Sequence, residues 1–368
     1  MTLINTIKTK LKDGPMSFAD FMQQALYDPF AGYYSAGLQK LGKDGDFITA
    51  PELTPLFAAA IANQVQQILS SLTNPSILEF GAGSGRLCVD LLRALEKLNS
   101  LPQNYYILEV SSSLKERQKS LIKTELPHLY ERVQWLSSWP KERFNGVMLA
   151  NEVLDAMPVH RFLHTSTGLL ESFIKLNEQD ELEEIFLPTE NKRLIKAVTD
   201  LQTLPSPYIS EVNLFIDDWL KEASDVLNEG AFFLIDYGFP RHEYYHPDRH
   251  TGTLMCHFRH QAHPNALIHV GKQDITAHVD FSHVADAADR AGFSIAGYCS
   301  QASFLLSLGL LNLVQEIGSE SERLIVNTDI KKLLQPSEMG ELFKVIALTK
   351  KIDFPLLGFQ LHDKRASL

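Results

Sequence analysis

The residues best suited to chemistry stand in one short run, Glu79-Phe80-Gly81-Ala82-Gly83-Ser84-Gly85, which follows an apolar stretch and precedes a helical one. Alternating glycines let a backbone turn sharply and come close to a ligand, and the helix behind them begins with free N–H groups. A loop that cradles a dinucleotide pyrophosphate spaces its glycines G-x-G-x-x-G. Here the spacing is G-x-G-x-G, with an acid two residues before the first glycine. That variant suits a ligand with a cationic amino-acid part and no pyrophosphate. Glu79, Gly81, Gly83 and Gly85 are therefore candidate cofactor-binding residues.

A second acid, Glu109, ends the next apolar segment. An acid there can accept two hydrogen bonds from a ribose diol. Nicotinamide dinucleotides and S-adenosylmethionine both carry such a diol, so Glu109 alone does not separate them. Further along, residues 146–150 run into Asn151-Glu152-Val153-Leu154-Asp155-Ala156-Met157-Pro158, and residues 231–235 end in Asp236-Tyr237-Gly238. Polar groups at the carboxyl ends of parallel strands lie where open sheets bind ligands. Asn151 also suits a helix cap.

These residues need a scaffold of alternating strands and helices, and the chain has that rhythm from residue 76. Residues 77–80, 105–110, 133–136 and 146–150 read as strands, with helices at 87–98 and 113–123. This alternation predicts an α/β fold with a parallel, Rossmann-like sheet. Before it lie a helix from residue 17 closed by Asp28-Pro29, a glycine- and aromatic-rich stretch over 31–51 that reads as loop and not core, and a second helix at 55–70. Residues 161–187 break the rhythm and suggest small antiparallel strands. Residues 214–227 form an amphipathic helix with a stop at Asn228-Glu229-Gly230, and 293–298 and 343–348 are candidate closing strands. The expected division is a helical and lid region at 1–75, then a sheet domain at 76–368 with insertions at 161–230 and 239–283.

Several stretches resemble the MidA-like family of class I methyltransferases, and they follow family order over nearly the whole chain. They are Asp28-Pro29-x-x-Gly32-Tyr33-Tyr34, Gly45-Asp46-Phe47-Ile48-Thr49, Glu79 to Gly85, Asn151-Glu152-x-x-Asp155-Ala156-x-Pro158, Asp236-Tyr237-Gly238, Gly252-Thr253-Leu254, Asp274-Ile275-Thr276-x-His278-Val279-Asp280-Phe281 and Met339-Gly340-x-x-Phe343-Lys344. One departure is Ala82, where relatives often carry proline. The resemblance implies a class I methyltransferase sheet with an N-terminal extension and an insertion between strands four and five. It implies S-adenosyl-L-methionine as cofactor and a protein arginine as methyl acceptor. On this reading the cofactor lies over the glycines with its ribose on Glu109, its adenine near Trp135 and Leu136, and Asn151 beside it. Asp46, Phe47 and Thr49 close over its methionine end. Glu152, Asp155 and Asp236 are the candidate catalytic carboxylates, with Tyr237 and His278 as second choices.

Composition narrows the alternatives. The chain of 368 residues has a formal net charge of -11, which disfavours a nucleic-acid substrate. Its three cysteines, Cys88, Cys256 and Cys299, lie far apart and argue against a disulfide scaffold. No apolar run approaches the ~20 residues of a membrane span, and the N-terminus lacks the look of a targeting peptide, so a cytoplasmic protein is expected. Residues 239–283 read as loop, and nine of the 13 histidines fall there, between His242 and His283. His257-x-x-His260-x-x-His263 has spacing compatible with zinc, but only Cys256 adds a neighbouring ligand, and no metal is expected. Three rival readings are a small-molecule methyltransferase, a catalytically silent module that binds a partner protein, and a nicotinamide-dependent oxidoreductase. The last predicts the other glycine spacing, and the second predicts loss of the glycines or the ribose acid.

Overall fold

The computed structural model describes residues 2–35, 49–201, 204–259, 261–316 and 318–368. Its centre is an eight-stranded sheet: seven strands, β1 (Ser76–Phe80), β2 (Tyr105–Leu108), β3 (Val133–Leu136), β4 (Phe144–Asn151), β5 (Leu227–Phe239), β6 (Ser294–Ser300) and β7 (Phe343–Lys350), lie side by side, and the short strand Val279–Asp280 pairs in parallel with the end of β5. The order across the sheet is β6-β7-β5-β4-β1-β2-β3. β1 to β5 pair in parallel, and β7 runs antiparallel between β5 and β6. The order reverses beside β1, which opens a crevice at the carboxyl ends of β1 and β4.

Side-chain alternation explains why these segments form a sheet covered on both faces. Ile77, Val147, Leu149, Ala231, Phe233 and Ile235 point into one core cluster with the helices Pro55–Leu69 and Arg86–Lys97. Leu78, Met148, Ala150, Phe232 and Leu234 point the other way, against the helices Ile216–Val226 and Phe281–Arg290. A strand apolar on both faces reads as a continuous hydrophobic run, which is how β4 and β5 appear in the sequence.

The segment between β4 and β5 carries a second sheet. Its strands His160–Thr165, Gly168–Leu176, Leu182–Pro188 and Tyr208–Val212 pair antiparallel, and Met16–Ser17 from the N-terminus pairs with Gly168–Leu176. Ser17 also caps the helix Phe18–Tyr27, its hydroxyl accepting the Asp20 N–H at 3.1 Å. One core cluster then joins Ile7, Phe21 and Leu26 to Ile174, Cys256 and Ile275. The helices Leu3–Leu11 and Phe18–Tyr27 thus share one core with parts of both inserted segments.

Three local expectations need correction. Tyr33 is fully buried in the cluster around Phe21 and Ala50 in the main core, so parts of the stretch read as loop belong to the interior. The strand expected from residue 231 starts earlier: the helix ends at Val226, next to its expected stop at Asn228-Glu229-Gly230, and the chain passes straight into β5, with a register shift between Leu227 and Glu229. The histidine-rich stretch is not structureless: Met255–Phe258, Gln261–His263 and Asp274–Thr276 form a three-stranded sheet. Among the described residues no helix is long and apolar enough to cross a membrane.

Candidate active site

The crevice holds a cleft of about 260 Å³. On its floor the loop after β1 carries Gly81, Gly83 and Gly85 in left-handed conformation, with φ of 58°, 54° and 90°. A Cβ on Gly81 would stand 3.3 Å from the Val153 side chain, so the loop and the turn after β4 approach at a spacing that favours glycine. Glu79 ends fully buried beneath the loop, where its Oε2 accepts the Tyr105 hydroxyl at 2.7 Å and burial pushes its carboxyl up to about 7. The Ser84 hydroxyl donates to Glu52, on the short helix Ala50–Leu53, and so ties the N-terminal segment to the glycine loop.

Glu109 stands just beyond β2. Its Oε1 accepts the Ser111 N–H at 2.9 Å and its Oε2 accepts Gln118 Nε2–H at 3.0 Å. Gln118 also donates to the Gly83 carbonyl at 2.9 Å and accepts from Trp135 Nε1–H at 2.9 Å. One buried amide therefore joins the glycine loop, Glu109 and the third strand. It also explains why Trp135 does not line the cleft. Its indole N–H is used from behind, and Leu136 is likewise absent from the lining. The apolar surface next to Glu109 comes from Leu108, Val110 and Leu114.

The lining chemistry decides between the cofactors left open by Glu109. Glu52, Glu79, Glu109 and Glu152 all face the cleft. Among the described residues, the cationic side chain in its lining is Arg86, already paired with Asp90 at 2.9 Å and Glu125 at 2.8 Å. A pyrophosphate would meet acids there, whereas a sulfonium with an ammonium group would meet charge complements. Asn151 Oδ1 is buried and lacks a partner among the described residues, an acceptor suited to such an ammonium. The residues present fit S-adenosylmethionine.

Beyond Asn151 the chain makes a strained turn. Glu152 has φ 55°, a left-handed conformation that non-glycine residues rarely adopt, and its N–H donates to the Ile235 carbonyl at 2.9 Å. Its carboxyl lines the cleft and accepts Asn151 Nδ2–H at 3.0 Å. Burial, with the charge of Asp155, pushes it up to about 8. Asp155 sits behind the lining. Its Oδ2 accepts the Tyr237 hydroxyl at 2.5 Å, its Oδ1 is buried without a partner, and burial pushes the carboxyl up to about 6.

Asp236 has a different task from the one expected. Its Oδ2 accepts the N–H groups of Val153, Leu154 and Asp155 at 3.2, 2.9 and 3.3 Å, and its Oδ1 accepts the N–H of Tyr237 at 2.9 Å. With its lone pairs spent on backbone, Asp236 is a positioning residue that shapes the turn bearing Glu152. His278 does not reach the cleft either. Its ring stacks on Phe239 at 5.4 Å and meets Tyr237 edge-on at 5.1 Å, and burial lowers its pKa to about 4. Thr49 lines the cleft, while Asp46 and Phe47 lie outside the described residues. His260 also lies outside them, and among the described residues no group of three or more candidate ligands is placed to hold a metal.

Sequence reasoning missed Gln118, Glu52, Tyr27, Tyr34 and Asp274. Tyr27 and Tyr34 line the cleft opposite no local motif, and Tyr34 donates its hydroxyl to Asp274 Oδ1 at 2.9 Å. The Gly32-Tyr33-Tyr34 stretch carried the only available signal for that wall. Gln118 was detectable as a polar residue one helical turn before Ile122, on the buried side of the helix Ser112–Glu125.

A parallel sheet in this strand order, with a glycine loop after β1 and an acid just beyond β2, has the architecture of a class I S-adenosylmethionine-dependent methyltransferase. The chain belongs to the MidA-like family: the family model described as an S-adenosyl-L-methionine-dependent methyltransferase matches residues 58–299. A crystal structure from Burkholderia thailandensis, a COG1565 superfamily member bound to S-adenosyl-homocysteine, is 38% identical, with a TM-score of 0.95 over 100% of this chain and 96% of that one. Among curated proteins, the mouse mitochondrial protein arginine methyltransferase NDUFAF7 is 28% identical over 94% of this chain and 84% of its own length. Its Drosophila melanogaster homologue is 26% identical, over 95% of this chain and 86% of its own. The cofactor of this protein is S-adenosylmethionine, and the protein is a methyltransferase.

Proposed function

We propose that the methyl acceptor is an arginine side chain of a protein substrate. The observation that carries this reading is the buried Glu152 carboxyl in the cofactor cleft, held there by a strained backbone with Asp155 directly behind it. A guanidinium needs carboxylate partners, and Glu152 with Asp155 behind it supplies them. The names of the curated relatives support the same acceptor.

When bound, the cofactor supplies an activated methyl on a sulfonium. The protein's work is to hold the nucleophile and manage one proton. Glu152 accepts hydrogen bonds from the guanidinium and turns one nitrogen toward the cofactor. As that nitrogen gains the methyl it loses a proton, and the Glu152 carboxylate takes it. Asp155, steadied by the Tyr237 hydroxyl, keeps negative charge beside the forming product. Asp236 keeps the turn in shape throughout. Incubation with labelled S-adenosylmethionine and a lysate of its own cell, followed by mass spectrometry, tests this reading. The label is expected on an arginine nitrogen of a protein. Label on lysine, on a carboxylate or on a small metabolite overturns the arginine assignment.

A further inference from the structure

We propose that Tyr27 and Tyr34 form an aromatic wall that receives the acceptor's planar cation and selects guanidinium over ammonium; this rests on the arginine reading above. Both rings line the cleft that Glu152 enters. Their centroids lie 5.5 Å apart with planes 24° from parallel. Neither hydroxyl is available to a ligand through its proton. Tyr27 donates to the Ala156 carbonyl at 2.9 Å, on the turn that carries Glu152, and Tyr34 donates to Asp274 Oδ1 at 2.9 Å. The surface left to the cleft is ring carbon.

The wall is also rigid. Tyr33, fully buried, meets Tyr34 edge-on at 5.1 Å from the core side. Burial and the charges of Asp274 and Asp155 hold both phenols neutral, far above the ordinary tyrosine range. An aromatic face attracts a cation, and a flat, weakly hydrated guanidinium stacks on it better than a compact, strongly hydrated ammonium. The acids alone would attract either cation. The rings supply the shape that tells them apart.

The direct test is titration of the S-adenosylhomocysteine-saturated protein with two probes, Nα-acetyl-arginine methylamide and Nα-acetyl-lysine methylamide, followed by NMR. The arginine probe is expected to bind about tenfold more tightly than the lysine probe, as a cation–π contact of ordinary strength implies. Its δ-methylene protons should shift upfield from the ring currents. Tyr27→Leu and Tyr34→Leu should each remove most of the preference and the upfield shift. Tyr27→Phe and Tyr34→Phe should keep both, since the hydroxyls point away. Any loss of affinity for S-adenosylhomocysteine in the leucine variants should be clearly smaller than their loss of arginine-probe affinity, because the wall serves the acceptor more than the cofactor.

The upfield shift in the parent needs no variant, so a poorly folding substitution leaves the test intact. No upfield shift, binding of neither probe, a preference retained in both leucine variants, or a loss of cofactor-product affinity that matches the loss of probe binding overturns the wall. If mass spectrometry finds methylarginine while the leucine variants keep the preference, the wall alone fails. If the methyl is found on another residue type, the arginine reading fails as well.

Discussion

Gln118 Nε2 donates to Glu109 Oε2 at 3.0 Å, and the same amide receives the Trp135 indole N–H at 2.9 Å. The orientation of Glu109 is therefore fixed from behind by a residue on a neighbouring helix. Gln118→Ala should weaken S-adenosylhomocysteine binding by about 1–2 kcal/mol, the usual cost of losing a hydrogen bond to a charged group. Trp135→Phe should cost less, because the remaining bonds from Gln118 to Glu109 and Gly83 persist. Calorimetry with both variants checks the order; a larger loss for Trp135→Phe contradicts it.

Asp236 is expected to act through stability. Asp236→Asn would place an NH2 group among N–H donors that now share a carboxylate, leaving buried donors unmet at a cost of about 2–4 kcal/mol. Chemical denaturation measures it. Asp236→Asn at parental stability would return Asp236 to the list of catalytic carboxylates.

Backbone strain at Glu152 predicts an unusual ranking. With φ at 55°, Glu152→Gly should relieve strain that Glu152→Ala retains. The glycine variant should be more stable than the alanine variant by about 1 kcal/mol by thermal or chemical unfolding, with both inactive. The opposite order would mean that the turn is not strained.

The same residue sets a pH dependence. Burial raises its carboxyl from an ordinary 4.5 to about 8, so between these values the folded protein holds a proton that the unfolded chain has lost. Stability of the cofactor-free protein should fall as pH rises through that window. Methyl transfer should rise over the upper part of it, as Asp155, near 6, and then Glu152 become carboxylates. Unfolding midpoints of Glu152→Gln between pH 5 and 8 should be flatter than those of the parent. Parallel profiles would place the titrating group elsewhere.

What the sequence disclosed was local chemistry. The glycine loop needs left-handed backbone at fixed positions, and Glu109 must end a strand, so both are written within a few residues. The central sheet was legible for a similar reason, since β4 and β5 are apolar on both faces. The acceptor wall was not. Tyr34 and Asp274 are 240 residues apart in the chain and meet only when the N-terminal helices pack on the inserted segments. Trp135 was expected near the adenine for its apolar face and the backbone groups beside it, whereas its indole N–H is bonded to Gln118 and its ring is not in the cleft lining. Asp236 and Glu152 look alike as acids after strands, and only the count of backbone donors separates a positioning role from a cleft-facing one.

The most direct test compares the parent and Glu152→Gln in methyl transfer from labelled S-adenosylmethionine to the protein acceptor, with S-adenosylhomocysteine affinity measured on the same samples. If Glu152 serves the acceptor, the variant should transfer methyl about 100-fold more slowly, while its affinity for the cofactor product stays within about twofold. Transfer at the parental rate, or a loss of affinity that accounts for the whole loss of rate, would contradict the account.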